Sequence, residues 1–319
     1  MSGLTVRDLL ERKAESLSLD VKAGSEGLER EVPGPEISSP GLVLSGFTER
    51  FPRDRIQVLG ETEITFLRSL DDAERHEAVE TLIGFDLPCL IVTKGLEPPA
   101  ELVEAADRTA TPLVGTTLKT GAFYRRIKPY LEEEFAPRTA VHGSVADVYG
   151  VGLLFVGKSG IGKSECVLDL VERGHRLVAD DVVLITRRGN DVLIGRGHEL
   201  ARHHMEIRGV GIIDIRALFG VRATRQQKRV EVVVQLEEWS DDHAYDRTGL
   251  DADTAEILGV TLPRVVIPLN PGKNITVIAE VIAMNHLLKY SGVDTARAFD
   301  QKLRKSMRPV REYLEEDNE

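Results

Sequence analysis

The residues best suited to chemistry lie between positions 142 and 181 of this 319-residue chain. Gly157, Lys158, Ser159, Gly160, Ile161, Gly162, Lys163 and Ser164 fit the pattern G-x-x-x-x-G-K-[ST] in full. Glycines let such a loop bend until successive backbone N–H groups point inward at phosphate oxygens. A helix beginning at the end of the loop adds the positive end of its dipole. Lys163 is expected to reach the outer phosphates of a nucleoside triphosphate, and the Ser164 hydroxyl to hold Mg²⁺. A loop of this kind identifies a nucleotide site and leaves the phosphoryl acceptor open.

Residues 177–181 read Leu-Val-Ala-Asp-Asp, an apolar strand ending in two acids soon after the P-loop helix. Such a position suits a metal-linked acid. Two adjacent carboxylates facing phosphate repel one another unless a cation or a proton intervenes. The pair Asp180 and Asp181 therefore suggests one acid near metal and one general base near the acceptor. His142 lies in VHGSV, before the strand that feeds the P-loop. On residue type alone, a single histidine of this kind is more often structural. Arg247 sits in the polar stretch AYDRTGL, and nothing in its local sequence selects it.

These groups need elements to hold them. Val151–Val156 reads as a buried strand entering the P-loop, and a hairpin is expected just before it. A helix follows from about Lys163 to Arg173, with Cys166, Val167, Leu170 and Val171 on one face and Gly174 as its stop. RLVADDVVLIT, DVLIG and RVEVVVQLEEW read as further strands. RVVIPLNPGKNITVIAEV reads as strand, turn, strand, with helices at 281–290 and 294–307. The first third alternates as well. Helices are expected over 4–16, 70–83, 98–107 and 117–133, and strands at GLVLSGF, RIQVLG, LPCLIVTKG and TPLVGT. Strands alternating with helices predict an α/β fold with a largely parallel sheet. The acidic run Glu132–Glu134 and Pro137 set the boundary: an N-terminal α/β domain over 1–134 and a P-loop domain over 135–319.

Hydrophobic residues make up 42% of the chain, enough for two cores, and the formal net charge is -11. That balance argues against general nucleic-acid binding, which draws its affinity from Lys and Arg on phosphates. The N-terminus lacks the apolar core of a secretory signal, and no apolar run approaches a membrane span. The cytoplasm is the expected compartment. Cys89 and Cys166 each lie in an apolar stretch and read as small buried hydrophobes.

Beyond the P-loop, VHGS (141–144), GKSGIGKSE (157–165), ADDVV (179–183), MEIRGVGIIDI (205–215), DRTG (246–249), PLNPGKN (268–274) and VIAMN (281–285) occur in order. With these segments the chain closely resembles the HPr serine kinase/phosphorylase family. The resemblance covers the whole C-terminal half by motif and the N-terminal half more loosely. It implies a bifunctional, ATP-dependent enzyme that phosphorylates a serine of the phosphocarrier protein HPr. The same enzyme reverses the reaction with inorganic phosphate, giving pyrophosphate. It implies His142, Lys163, Asp181 and Arg247 as active-site residues and Ser164 and Glu206 as Mg²⁺ ligands. It implies a P-loop domain related to phosphoenolpyruvate carboxykinases, a homohexamer, and C-terminal helices that grip HPr. Residues 205–214 match a segment used in both directions, and 268–273 one used in dephosphorylation.

Three positions depart from the family pattern. Lys158 stands where the P-loop usually has Asp, and Asn270 and Lys273 stand where arginines are usual. An arginine fork grips phosphate at two points, while lysine is a point charge and asparagine is neutral. Weaker phosphate binding in the reverse direction is expected. The stretch 286–311 carries seven Lys or Arg against two acids, which suits docking of a protein substrate. Two rival readings remain at this level. One is a P-loop kinase of a small metabolite; the other is a non-catalytic, ATP-dependent regulatory module.

Overall fold

Short apolar runs set between the helices of the first 136 residues assemble into one sheet. The structure, a computed structural model, describes residues 3–240, 253–270 and 274–316, with side chains to Ser306. The chain divides into two compact units, 1–136 and 137–319.

In the first unit the strands are β1 (Leu19–Ala23), β2 (Ile37–Ser38), β3 (Ile56–Leu59), β4 (Leu90–Val92) and β5 (Leu113–Thr116). Their order is β1-β5-β4-β3-β2. Strands β2 to β5 run parallel, and β1 is antiparallel beside β5. The helices are α1 (Val6–Leu17), α2 (Gly41–Leu44), α3 (Glu61–Ser69), α4 (Asp72–Ile83), α5 (Ala100–Arg108) and α6 (Thr120–Glu134). Leu90 and Val92 pack with α2 to α5 on one face, while Ile91 packs with α1 and α6 on the other. That alternation is the mark of a strand buried on both sides.

The stretch GLVLSGF is not the expected strand. Residues 41–44 form the single helical turn α2, closed by Leu44 N–H donating to Pro40 O at 3.0 Å. Val43 and Leu44 are buried together while Leu42 is exposed, so neighbours share a side in place of alternating. A short apolar run carries no period long enough to separate the two outcomes.

The second unit contains β6 (Arg138–His142), β7 (Ser144–Val148), β8 (Val151–Val156), β9 (Arg176–Ala179), β10 (Val182–Arg188) and β11 (Val192–Gly197). It continues with β12 (His204–Ile207), β13 (Gly211–Asp214), β14 (Gln227–Arg229), β15 (Val232–Glu238), β16 (Thr254–Ile257) and β17 (Val260–Leu269). Its helices are α7 (Lys163–Glu172), α8 (Ile215–Phe219), α9 (Ile275–Tyr290) and α10 (Thr295–Glu316). A six-stranded sheet has the order β16-β17-β15-β8-β7-β9, parallel only across β17, β15 and β8. A four-stranded antiparallel sheet has the order β14-β11-β10-β6, and β12 pairs with β13. Val151, Leu153 and Phe155 of β8 face α7 and α9, while Leu154 faces the core shared with the four-stranded sheet. The hairpin of β7 and β8 turns on Tyr149 and Gly150, both at positive φ (52° and 86°), as a two-residue turn matched to strand twist requires.

The segment ITVIAEV, expected as a strand, forms the first two turns of α9. The Asn274 side chain accepts from Val277 N–H at 3.1 Å and caps the helix. Thr276, Ala279, Glu280 and Ala283 are buried, a helical spacing. Packing of that face against α7 overrides the β preference of Ile275 and Val277. Glu280 accepts two bonds from Arg173, at 3.0 and 2.8 Å, and lies 3.0 Å from His175 Nε2, tying α9 to the end of the P-loop helix. Among the described residues no helix is long and apolar enough to cross a membrane.

Candidate active site

Two neighbouring chain crossings build the site. At Gly143 the chain leaves β6 in the four-stranded sheet and enters β7 in the six-stranded one. A Cβ there would lie 2.4 Å from the Phe155 carbonyl oxygen, so only glycine fits without moving β8. Between β9 and β10 the chain crosses back through Asp180 and Asp181. Gly143 N–H donates to Asp181 O at 3.0 Å, which holds the crossings side by side. The result is two facing pairs, Ser144 with Asp180 and His142 with Asp181.

A tight turn separates the two acids. Val182 N–H donates to Asp180 O at 2.8 Å, and Asp181 has a φ of 64°. This is a γ-turn of the strained kind, costing about 1–3 kcal/mol for a residue other than glycine. It leaves Asp180 buried and the Asp181 side chain 65% exposed. Asp180 Oδ1 accepts from Ser144 Oγ at 2.5 Å and from Ser164 Oγ at 3.0 Å. Its Oδ2 is buried and has no hydrogen-bond partner. Burial pushes the Asp180 carboxyl above its usual range, opposed by the two serine bonds and the nearby amides of Asp181 and Glu206. Asp181 Oδ1 lies 3.2 Å from His142 Nδ1 at the cleft surface.

The P-loop faces this pair. Gly157, Gly160 and Gly162 adopt φ values of 148°, 78° and 102°. A Cβ at Gly157 would come 2.5 Å from Leu236 O, so the loop's first glycine is needed for close approach to β15. Lys163 is almost wholly buried, and its Nζ donates to Gly157 O and Lys158 O at 3.0 Å each. Ser159, Gly160, Gly162, Lys163 and Ser164 line the cleft with His142, Asp180, Asp181 and Glu206. Gly157, Lys158 and Ile161 do not line it. Lys158 lies 3.8 Å from Glu238, with both side chains exposed, and Ile161 packs on the core.

Glu206 reaches the cleft because β12 alternates: Met205 and Ile207 are buried and Glu206 points away from them. A buried carboxylate oxygen without a partner, beside a hydroxyl and near a second acid, suits a hard divalent cation. Ser164, Asp180 and Glu206 therefore fit Mg²⁺. Arg247 and Lys273 fall outside the described residues.

The structure adds Arg208 to the cleft. Its guanidinium nitrogens lie 2.5 Å from where a Cβ on Gly160 would sit, so it rests against the bare loop. Sequence reasoning passed over it, because one cation among 41 Lys and Arg carries no local mark. Ser144, within VHGS, likewise carries no local mark of its bond to Asp180.

The model of the HPr Serine kinase C-terminal domain matches residues 133–303, and that of the HPr Serine kinase N terminus matches 4–131. The chain belongs to the HPr serine kinase family. A protein of Chloroherpeton thalassium called HPr kinase/phosphorylase is 48% identical over 96% of this chain and 90% of its own length. A protein of Geobacter sulfurreducens with the same name is 45% identical over 98% of this chain and 99% of its own. One from Halalkalibacterium halodurans, again with that name, is 43% identical over 95% and 96%. In this member of the family, the P-loop and the split acid pair occupy one cleft within the second unit.

Proposed function

We propose that the chain transfers the γ-phosphoryl group of ATP to a serine of HPr and reverses that step by phosphorolysis. Relatives called HPr kinase/phosphorylase along nearly their whole length support the reaction. The observation that carries the mechanism is the division of Asp180 from Asp181 by the γ-turn.

In the forward direction the serine oxygen attacks the γ-phosphorus, the bond to the β–γ bridging oxygen breaks, and ADP leaves. Asp181 accepts the serine proton, and His142 holds one carboxylate oxygen so that the other meets the substrate. In reverse, a phosphate oxygen attacks the phosphoserine phosphorus and the serine oxygen leaves with the proton from Asp181. The product is pyrophosphate. One acid serves both reactions, because each makes or breaks the same serine O–P bond and so moves the same serine proton. Phosphoryl transfer passes through a loose transition state, so positioning and charge dominate. Lys163 and Arg208 supply positive charge at the loop, and the resemblance adds Arg247. Mg²⁺, when held by Ser164, Asp180 and Glu206, neutralises charge on the phosphate oxygens.

The finer features follow the same reading. A homohexamer in the cytoplasm is what the resemblance implies, and an exposed apolar set in the second unit that includes Val210, Ile212, Leu218 and Val221 offers a surface for self-association. Docking of HPr falls to α10, whose Arg304 and Lys305 are exposed. Phosphorolysis is slow here because Asn270 and Lys273 replace arginines.

The test is intact-mass spectrometry of HPr from the same organism after incubation with the chain, ATP and Mg²⁺. We expect one added phosphoryl group on serine, then its removal with pyrophosphate release once phosphate is supplied. Unmodified HPr alongside ATP-binding protein would sink the proposal and favour a small-molecule kinase.

A further inference from the structure

A second cleft lies in the first unit, which the reaction above does not use. It is broadly open to solvent and offers about 730 Å³, within the usual range of volumes for a metabolite site. Its lining comes from residues that follow the C-terminal ends of parallel strands. Gly60 and Glu61 follow β3, Lys94 follows β4, and Lys119 and Thr120 follow β5. Helix α5, after β4, packs on one face of the sheet, and α6, after β5, packs on the other. The β4–β5 junction is thus a topological switch point, where α/β sheets open a crevice for ligands.

We propose that this cleft binds a small phosphate monoester. Lys94 and Lys119 supply the cations. Lys119 makes no ion pair among the described residues. Lys94 pairs with the exposed Glu61, an internal carboxylate that a ligand anion displaces. The other lining acid, Glu63, is held within the cleft wall, accepting from Gly60 N–H at 2.8 Å and Ser39 Oγ at 2.5 Å. Below the lysines, the buried Thr93 Oγ1 donates to Leu59 O at 3.3 Å and accepts from Thr120 Oγ1 at 2.7 Å, which pins the start of α6 to the cleft floor. Helix α6 begins at Lys119 without a side-chain cap, so the Thr120 and Gly121 amides face the same space. One unpaired lysine and two amides match a single phosphate. Thr62, Thr65 and Tyr124 leave a polar wall for a hydroxyl-bearing body. Cleft, cations and switch point are separate observations that converge on one ligand chemistry.

The test is hydrogen–deuterium exchange of the full chain with sn-glycerol 3-phosphate as probe. The P-loop is kept filled by Mg²⁺ and the ATP analogue with an imido β–γ bridge, so the probe cannot report through it. At a probe concentration ten times its Kd, exchange over residues 120–123 slows by about tenfold where opening requires release. Glycerol alone leaves exchange unchanged. Gly121→Asp removes the slowing by repulsion. A side chain at 121 meets nothing within 4 Å, and an acid in the first helical turn is favourable, so the melting temperature holds or rises. Lys119→Glu removes the slowing as well. No slowing in the parent chain, equal slowing with glycerol, or slowing that persists in either variant overturns the proposal.

Discussion

In the second unit the loop's cleft-lining groups, Ser159, Gly160, Gly162, Lys163 and Ser164, come from one short run bent by glycines at positive φ. In the first unit they come from the ends of separate strands, at Gly60, Lys94 and Lys119, and no local run marks them. Both clefts open at a helix N-terminus beside lysines, yet only one is written as a motif. A site made by one bent loop tolerates little change in that loop. A site made by strand ends spreads its tolerance over several loops.

The comparison is broken or sharpened by substitution, and the largest effect is expected at the acid pair. Asp181→Asn should lower HPr phosphorylation by about 10²–10⁴-fold, an upper range for a general base, while ATP binding persists. Near-full transfer by this variant would remove Asp181 from the base role. Asp181→Gly should be equally inactive and more stable by about 1 kcal/mol, because glycine relieves the positive φ. A melting temperature no higher than the parent's would count against strain at that turn.

Next comes Lys163→Ala. Loss of a charge-assisted bond to phosphate should weaken nucleotide binding by about 10–100-fold, from the roughly 1.5–3 kcal/mol such bonds contribute. A fluorescent-nucleotide titration reads it, and unchanged affinity would show that the loop amides suffice.

The glycines compare the two clefts directly. Gly162→Ala places a side chain at a φ of 102° and should destabilise by about 1–2 kcal/mol. Gly121→Ala lies in a helix with open space around it and should stabilise by about 0.5–1 kcal/mol. Denaturant titrations giving the same sign for both would erase the contrast.

The smallest effect is at Asp180. Its raised carboxyl means the folded state binds more protons than the unfolded one as pH rises above the ordinary value of 3.8. The penalty is absent below that pH and grows through the folded-state titration. Metal-free Asp180→Asn should therefore melt higher than the parent at neutral pH. The gap should close toward pH 4, and added Mg²⁺ should raise only the parent. An equal Mg²⁺ response in the variant would exclude Asp180 as a ligand.

Legibility followed locality. The hairpin before the P-loop, the strand Val151–Val156 and helix α7 were all readable, since each is set by neighbours in sequence. GLVLSGF and ITVIAEV were misread because β-branched, apolar stretches carry strand propensity, and only contact with α4 and α7 decides their shape.

The sequence by itself determined the nucleotide loop, because glycines at fixed spacing dictate backbone geometry whatever surrounds them. It also determined that two acids follow. Which acid is buried against Ser164 and which meets solvent was settled by paired strand crossings at Gly143 and Asp181. The same holds for Arg208 against Gly160 and for the lysines gathered at the β4–β5 junction. Those groups are distant along the chain, and only sheet order and crossover direction bring them within reach of one another.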